Sequence, residues 1–295
     1  MTFLGVPLYT LAKYHGMGAA VKSLRNLGLT ATLKESVDSF TDLGDVQLTQ
    51  ITADSGPDNT RNFSHFLDDT NAIMDRAERV PSENLAFCLG GECGLALGTL
   101  AGLRSNFRGT PGLLWLDAHG DFNTPETTQS GFVGGMPLAF VCGRGPKFSP
   151  RIENLRPLVK EENVVHFGSR DLDPLEAEAL ESSLVRLHSA SSLRQEGLER
   201  TAKQEASYLA DNTDWIICHL DVDVIDPTVV PAVSFPTKDG LTVQEVRTIV
   251  GALLKTDKLK VFNLTAYEPT RDHGFQAGRT IVALMREIFT SIKRV

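Results

Sequence analysis

The sequence predicts an α/β fold, with one mostly parallel sheet covered on both faces by helices. Three observations predict it. Short apolar runs alternate with longer amphipathic segments along the whole chain, the rhythm of strand–helix–strand units. The runs are nearly continuous in apolar residues, as strands buried on both faces must be. No repeat, low-complexity stretch or Pro/Ser-rich linker breaks the alternation. Length alone would allow about two domains of roughly 150 residues, but the unbroken pattern makes 1–295 a single three-layer α/β/α domain.

FLGVPL (3–8) is the first strand, followed by a helical pattern, AVKSLRNLG, ending at Gly28. A longer helix, NFSHFLDDTNAIMDRAERV (62–80), takes its start signal from Asn59 or Thr60. LAFCLGG (85–91), GLLWLDA (112–118) and NVVHFGS (163–169) are strands bounded by Gly or polar residues. A long Gly-rich loop over 124–135 suits a site better than a linker. SSLRQEGLERTAKQEASYLA (191–210) reads as helix, then WIICHLDVD (215–223) as strand. Thr242 and Glu245 have capping-box spacing at the start of TVQEVRTIVGALLK (242–255). LKVFNLTAY (259–267) is the last strand, and AGRTIVALMREIFTSIKRV (277–295) the terminal helix.

Composition excludes several classes. Lys and Arg number 29 against 37 Asp and Glu, a net charge of −8, which disfavours a nucleic-acid partner. Four cysteines, Cys88, Cys93, Cys142 and Cys218, make no disulfide framework, and two of them sit in apolar runs. The first residues lack a signal-peptide pattern, and no apolar stretch approaches the ~18 residues of a membrane span. A cytoplasmic protein with no membrane partner is expected.

Two segments carry the chemistry. LLWLDAHGDFN holds Asp117, His119 and Asp121, and IICHLDVDVIDP holds Asp221, Asp223 and Asp226. Both follow buried runs, at the ligand-binding edge of a parallel sheet. Residues two apart share a face of an extended chain, so each set can converge. Four carboxylates gathered there repel unless cations sit between them. Two divalent metals resolve the conflict and acidify a bridging water. Oxygen ligands with an imidazole suit Mn²⁺, with Zn²⁺, Fe²⁺ or Co²⁺ as alternatives. A lone DxD or DxH would be ordinary turn and cap chemistry. The pair, each behind a buried strand, is far more specific.

DAHGD and LDVDVIDP together resemble the arginase/agmatinase (ureohydrolase) superfamily. FLGVP with GMGAAVKSLRNLGL, DLGDV (42–46), LGGEC (89–93), NTPETTQSG (123–131), FGSRDLDPLE (167–176) and VSFPTKDGLT (233–242) resemble further family blocks in the same order. The resemblance implies an eight-stranded parallel sheet, two manganese ions and attack of metal-bridging hydroxide on a guanidinium carbon. It implies Asp117, His119, Asp121, Asp221 and Asp223 as metal ligands, with Asp121 also holding the hydroxide. It implies that Asn123 and Ser130 bind the α-amino acid end of an arginine-like substrate, and that Asp173 and Glu176 meet its ammonium. It also implies a homo-oligomer, trimer or hexamer, although no long tail follows the last helix to lock a trimer.

The chain departs from the family pattern in four places. Cys93 stands where GGDH has its histidine ligand, as in the hydroxyarginine-hydrolysing branch. As a thiolate ligand it would relax strict manganese preference. Gly134-Gly135-Met136-Pro137 replaces HGMP, so the family's shuttle histidine is absent. Ala266 holds the place of the guanidinium-binding Glu, and Glu268, two residues on, is the expected substitute. His219, two residues before Asp221, is expected on the ligand face as a hydrogen-bond partner, shuttle or extra ligand. The function expected is hydrolysis of a guanidino or N-hydroxyguanidino C–N bond, releasing urea or hydroxyurea. The competing readings are a metal-impaired protein that binds a guanidino ligand without turnover, a single-zinc deacetylase-like hydrolase, and a haloacid-dehalogenase-like phosphatase. The zinc reading leaves Asp121 and Asp223 surplus, and the phosphatase reading leaves DAHGD unexplained.

Overall fold

In a computed structural model, residues 1–290 are described. Eight strands form one sheet in the order β2-β1-β3-β8-β7-β4-β5-β6, all parallel. They are β1 (Thr2–Val6), β2 (Thr41–Asp45), β3 (Ala86–Gly90), β4 (Pro111–Leu116), β5 (Val164–Phe167), β6 (Arg186–His188), β7 (Trp215–Asp221) and β8 (Leu259–Thr265). The predicted α/β class and its parallel sheet are therefore found. Helices cover both faces, because the strands alternate their side chains between two cores. Phe87 and Leu89 join Phe3, Phe262 and Phe289 in one, while Ala86 and Cys88 join Phe66, Trp115 and Phe140 in the other.

Six strands fall where apolar runs predict them, and β2 and β6 do not. Both are sheet edges, with exposed or half-buried residues instead of an apolar run. Arg25 holds β2 down by ion pairs to Asp42 and Asp45. The helix Leu95–Leu103 also escapes periodicity. All nine residues are buried, so it has no polar stripe to reveal it.

Helix boundaries differ for local reasons. A second helix, Leu29–Glu35, starts directly after Gly28. Neither Asn59 nor Thr60 begins the next one, which runs Phe63–Ala77 behind a left-handed Asn62. The predicted 191–210 helix is two, Ala190–Glu196 and Leu198–Asn212, broken at Gly197 with φ 91° and ψ 92°. The Thr242–Glu245 capping box is present on Val243–Leu254. The last helix begins at Gln276 and is described to Thr290, and its predicted extension over 291–295 lies outside the described residues. Among the described residues, no helix is long and apolar enough to cross a membrane.

Candidate active site and metal centre

β3, β8, β7 and β4 are neighbours at the middle of the sheet, and their C-terminal ends build the site. β4 stops at Leu116, and the Asp117 amide turns to the Phe167 carbonyl, 3.1 Å away. The following turn is held by its own acids. Asp117 Oδ1 accepts from the His119 amide at 2.8 Å, and Asp221 Oδ1 accepts from the Asp223 amide at 2.7 Å. Asp223 reaches across from β7 and accepts from the Ala118 amide at 3.2 Å. Arg170 ties the two segments together, its amide donating to the Ala118 carbonyl at 2.9 Å and its guanidinium to the Asp223 carbonyl at 2.8 Å.

Two groups of ligand atoms result, Cys93 with Asp117 and Asp221, and His119 with Asp117 and Asp223. Within each group all ligand atoms lie within 4.8 Å of one another, and Asp117 belongs to both. Cys93 Sγ is 2.9 Å from Asp221 Oδ2, and His119 Nδ1 is 3.1 Å from Asp223 Oδ2 and 3.3 Å from Asp117 Oδ1.

Asp121 stands beside them with φ 50°, a left-handed conformation that an aspartate adopts at some cost. Its carbonyl fixes that turn by accepting from the amides of Leu138 and Ala139. Its Oδ2 is buried with no hydrogen-bond partner.

Burial and mutual repulsion dominate the electrostatics. Asp117 is pushed up to about 6 by burial and by Asp223. Burial and Asp117 likewise hold Asp121 well above the ordinary carboxylate range, and burial and Asp223 do so for Asp221. Burial raises the Cys93 thiol, and the neighbouring aspartates raise it further. Burial opposes charge on both Asp223 and His119, but their contact outweighs it, lowering Asp223 and raising His119. A buried cluster of this composition, with one orphaned carboxylate oxygen, fits divalent cations. Cys93 adds a soft donor to an otherwise hard set.

These groups line a cavity of about 460 Å³. Cys93, Asp117, His119, Asp121, Asn123, Ser130, Asp173, Glu176, Asp221 and Asp223 all line it, and His219 and Glu268 do not. His219 lies in the sheet behind the ligands, stacked on Trp115, with Nε2 3.4 Å from Thr265 Oγ1. Burial lowers its pKa to about 3, and its ring lies within the sheet and not in the cavity wall. The expected Glu268 geometry requires β8 to continue. Instead β8 ends at Thr265 and Ala266 turns left-handed, φ 67°. The Glu268 carboxylate is held by Ser234 (2.5 Å), Thr270 (3.0 Å) and Arg271 (2.8 Å).

Asp173 and Glu176 form a capping box at the helix Pro174–Glu181. Glu176 also accepts from the Phe122 amide at 2.9 Å, and burial raises it to about 7. It braces the loop from within while still lining the cavity.

The residue sequence reasoning missed is Glu92. It is 3% exposed, lines the cavity, and accepts from the Thr10 amide and hydroxyl at 2.9 and 2.6 Å. Burial raises it to about 7. Its signal was present, an acid directly after the Gly-Gly that ends a strand. Phe235, also in the wall, had no sequence signal.

A parallel sheet whose central strand ends gather buried carboxylates, an imidazole and a thiol is an α/β scaffold with a site suited to metal. The Arginase family model matches residues 1–290, and the chain belongs to that family. It is thus an enzyme of the ureohydrolase class, acting on guanidino C–N bonds. The arginase of Brevibacillus brevis is 30% identical over 294 residues, 98% of this chain and 97% of that one. The solved arginase from Bacillus caldovelox superposes with a TM-score of 0.90 at 28% identity, over 98% of this chain and 97% of that one. The arginase from Bacillus cereus gives 0.89 at 28%, with the same coverage.

Proposed function

We propose that the chain hydrolyses the guanidino or N-hydroxyguanidino C–N bond of an arginine-like substrate, yielding urea or hydroxyurea and an amine. The observation that carries this reading is the pair of ligand groups sharing buried Asp117, beside the orphaned Asp121 Oδ2. Cys93, Asp117 and Asp221 would hold one Mn²⁺ and Asp117, His119 and Asp223 the other, with Asp121 completing the set. Zn²⁺, Fe²⁺ or Co²⁺ are the alternatives. Bound there, the cations supply an acidified water and stabilise developing charge. Asp121 Oδ2 holds the proton of the reacting water. Glu92, the carboxylate beside Ala266 through the Ala266 N–H to Gly91 carbonyl bond of 2.6 Å, faces the guanidinium. Asn123, Ser130 and Asp173 flank the rest of the substrate. The reading includes a single domain over 1–295 working in the cytoplasm as a homo-oligomer.

The test is metal analysis coupled to urea and hydroxyurea release over arginine, hydroxyarginine, agmatine and capped arginines. About two metals per chain and turnover abolished in a folded Asp121→Asn variant are expected. One tightly bound zinc, or full activity in that variant, overturns the reading. A second reading, guanidino binding without turnover, is favoured by Gly134 and Ala266, which put neither imidazole nor carboxylate at those positions. Binding without product in saturating Mn²⁺ would establish it.

A further inference from the structure

Three aromatic rings meet at the cavity. Phe132 and Phe235 line it, with centroids 5.5 Å apart. Tyr14 packs against both, 5.2 Å from Phe132 and 4.9 Å from Phe235. Phe235 in turn meets the edge of His119 at 5.8 Å, so the wall runs up to the ligand cluster. The Phe132 ring lies close over Gly134. A Cβ on Gly134 would lie 2.2 Å from Phe132 Cζ, so only glycine leaves the ring its place.

The polar groups nearby spend part of their hydrogen-bonding capacity on one another and on the loop backbone. Asn123 donates to Asp173 at 3.1 Å and accepts from Thr127 at 2.9 Å, and Ser130 Oγ accepts from the Phe132 amide at 3.2 Å. Among the described residues, no Lys or Arg lines the cavity, while Asp171 and Asp173 do. Lys13 stacks on Tyr14 instead, 4.6 Å from its centroid. A substrate carboxylate would find no ion-pair partner and two like charges. A flat apolar group would find a ready face.

We propose that Phe132 and Phe235, backed by Tyr14, form a stacking subsite, and that the preferred substrate is a guanidine whose amine carries an aryl group and no carboxylate. This rests on the hydrolase reading above. The guanidinium end still meets the acidic end of the cavity, and the aryl end lies along the rings.

The probes are phenethylguanidine, butylguanidine and arginine. With the metal-loaded protein, kcat/KM for phenethylguanidine is expected to exceed that for either of the others by about tenfold, the worth of one good ring contact. Phe132→Ala should remove that preference through KM. Phe132→Leu, which keeps apolar bulk and removes the π face, should remove most of it and guards against misfolding. Calorimetry on the metal-free protein should show phenethylguanidine binding more tightly than butylguanidine. Arginine as the best substrate, or equal binding of the phenethyl and butyl probes, overturns the subsite while leaving the hydrolase reading intact. Binding that weakens in Phe132→Leu, with no guanidine hydrolysed, supports the subsite and overturns the hydrolase reading.

Discussion

Trp115 and His219 lie face to face, with ring centroids 3.7 Å apart and planes 6° from parallel. The stack sits directly behind the ligand cluster. The indole N–H donates to Asp117 Oδ2 at 3.2 Å, and the imidazole faces Asn263 and Thr265, each at 3.4 Å. Asp117 is the carboxylate common to both ligand groups, so the indole orients the residue on which both depend. Trp115→Phe keeps the stacked ring and removes the donor. Partners of this kind are typically worth 10–100-fold in metal affinity. A loss of about that size is expected in a chelator competition titration. Unchanged affinity would show that the indole does not orient Asp117.

The same stack predicts a pH effect. Burial lowers His219 to about 3, whereas an unfolded histidine titrates near its ordinary 6.5. Below pH 6.5 the unfolded chain takes up a proton that the folded chain refuses, so stability falls with pH, by about 1.4 kcal/mol per unit. The loss continues until the folded pKa is reached. Asp117 and Glu92 are shifted upward, to about 6 and about 7, and act in the opposite sense. A difference measurement separates the contributions. His219→Phe should be less stable than the parent near pH 7.5, with the gap narrowing between pH 6.5 and 5 in urea titrations. A pH-independent gap would mean that His219 takes up its proton equally in the folded and unfolded chain.

Cys93 has a spectroscopic test. In the metal-free site its thiol is protonated, because burial and the aspartates oppose a thiolate. A bound cation reverses that balance. Cobalt loading should give a sulfur-to-metal charge-transfer band that is absent in Cys93→Ser. Cys93→His should raise manganese affinity relative to cobalt, since a hard ion gains from exchanging sulfur for nitrogen. A cobalt spectrum identical in parent and Cys93→Ser would place Cys93 outside the metal's reach.

The central strands and the acidic turns were legible in the sequence because one physical rule governs both. A strand buried on two faces is nearly continuous in apolar residues, so a carboxylate that interrupts the run marks its end, as Asp117 and Asp221 do. The edge strands β2 and β6 had no such run. The two expected site residues that do not line the cavity, His219 and Glu268, lie off it for a common reason. Alternation assigns a face only while the chain stays extended. His219 does share a strand face with Asp221, but Asp221 is the last residue of β7, and the acids meet in the turns beyond it. Glu268 lies past the left-handed Ala266, which ends the alternation altogether. Phe132 and Phe235 are brought together by two loops, which no local pattern encodes.

Glu92 and Glu268 give opposed predictions from nearly equal burial, 3% and 5% exposed. The Glu92 carboxylate lines the cavity and accepts two bonds from Thr10, leaving lone pairs for a cationic ligand. The Glu268 carboxylate is spent on Ser234, Thr270 and Arg271, away from the lining. Hydrogen bonds to a charged group contribute about 1.5–3 kcal/mol, or roughly 10–100-fold. Glu92→Gln keeps an acceptor for Thr10 and removes the charge. It should raise KM for guanidino substrates by about that factor in steady-state assays. Glu268→Gln should lower thermal stability, because Arg271 loses its partner, and leave KM within about twofold. If Glu268→Gln carries the larger KM effect, the guanidinium is held on the Ser234 side of the cavity and Glu92 serves only to anchor Thr10.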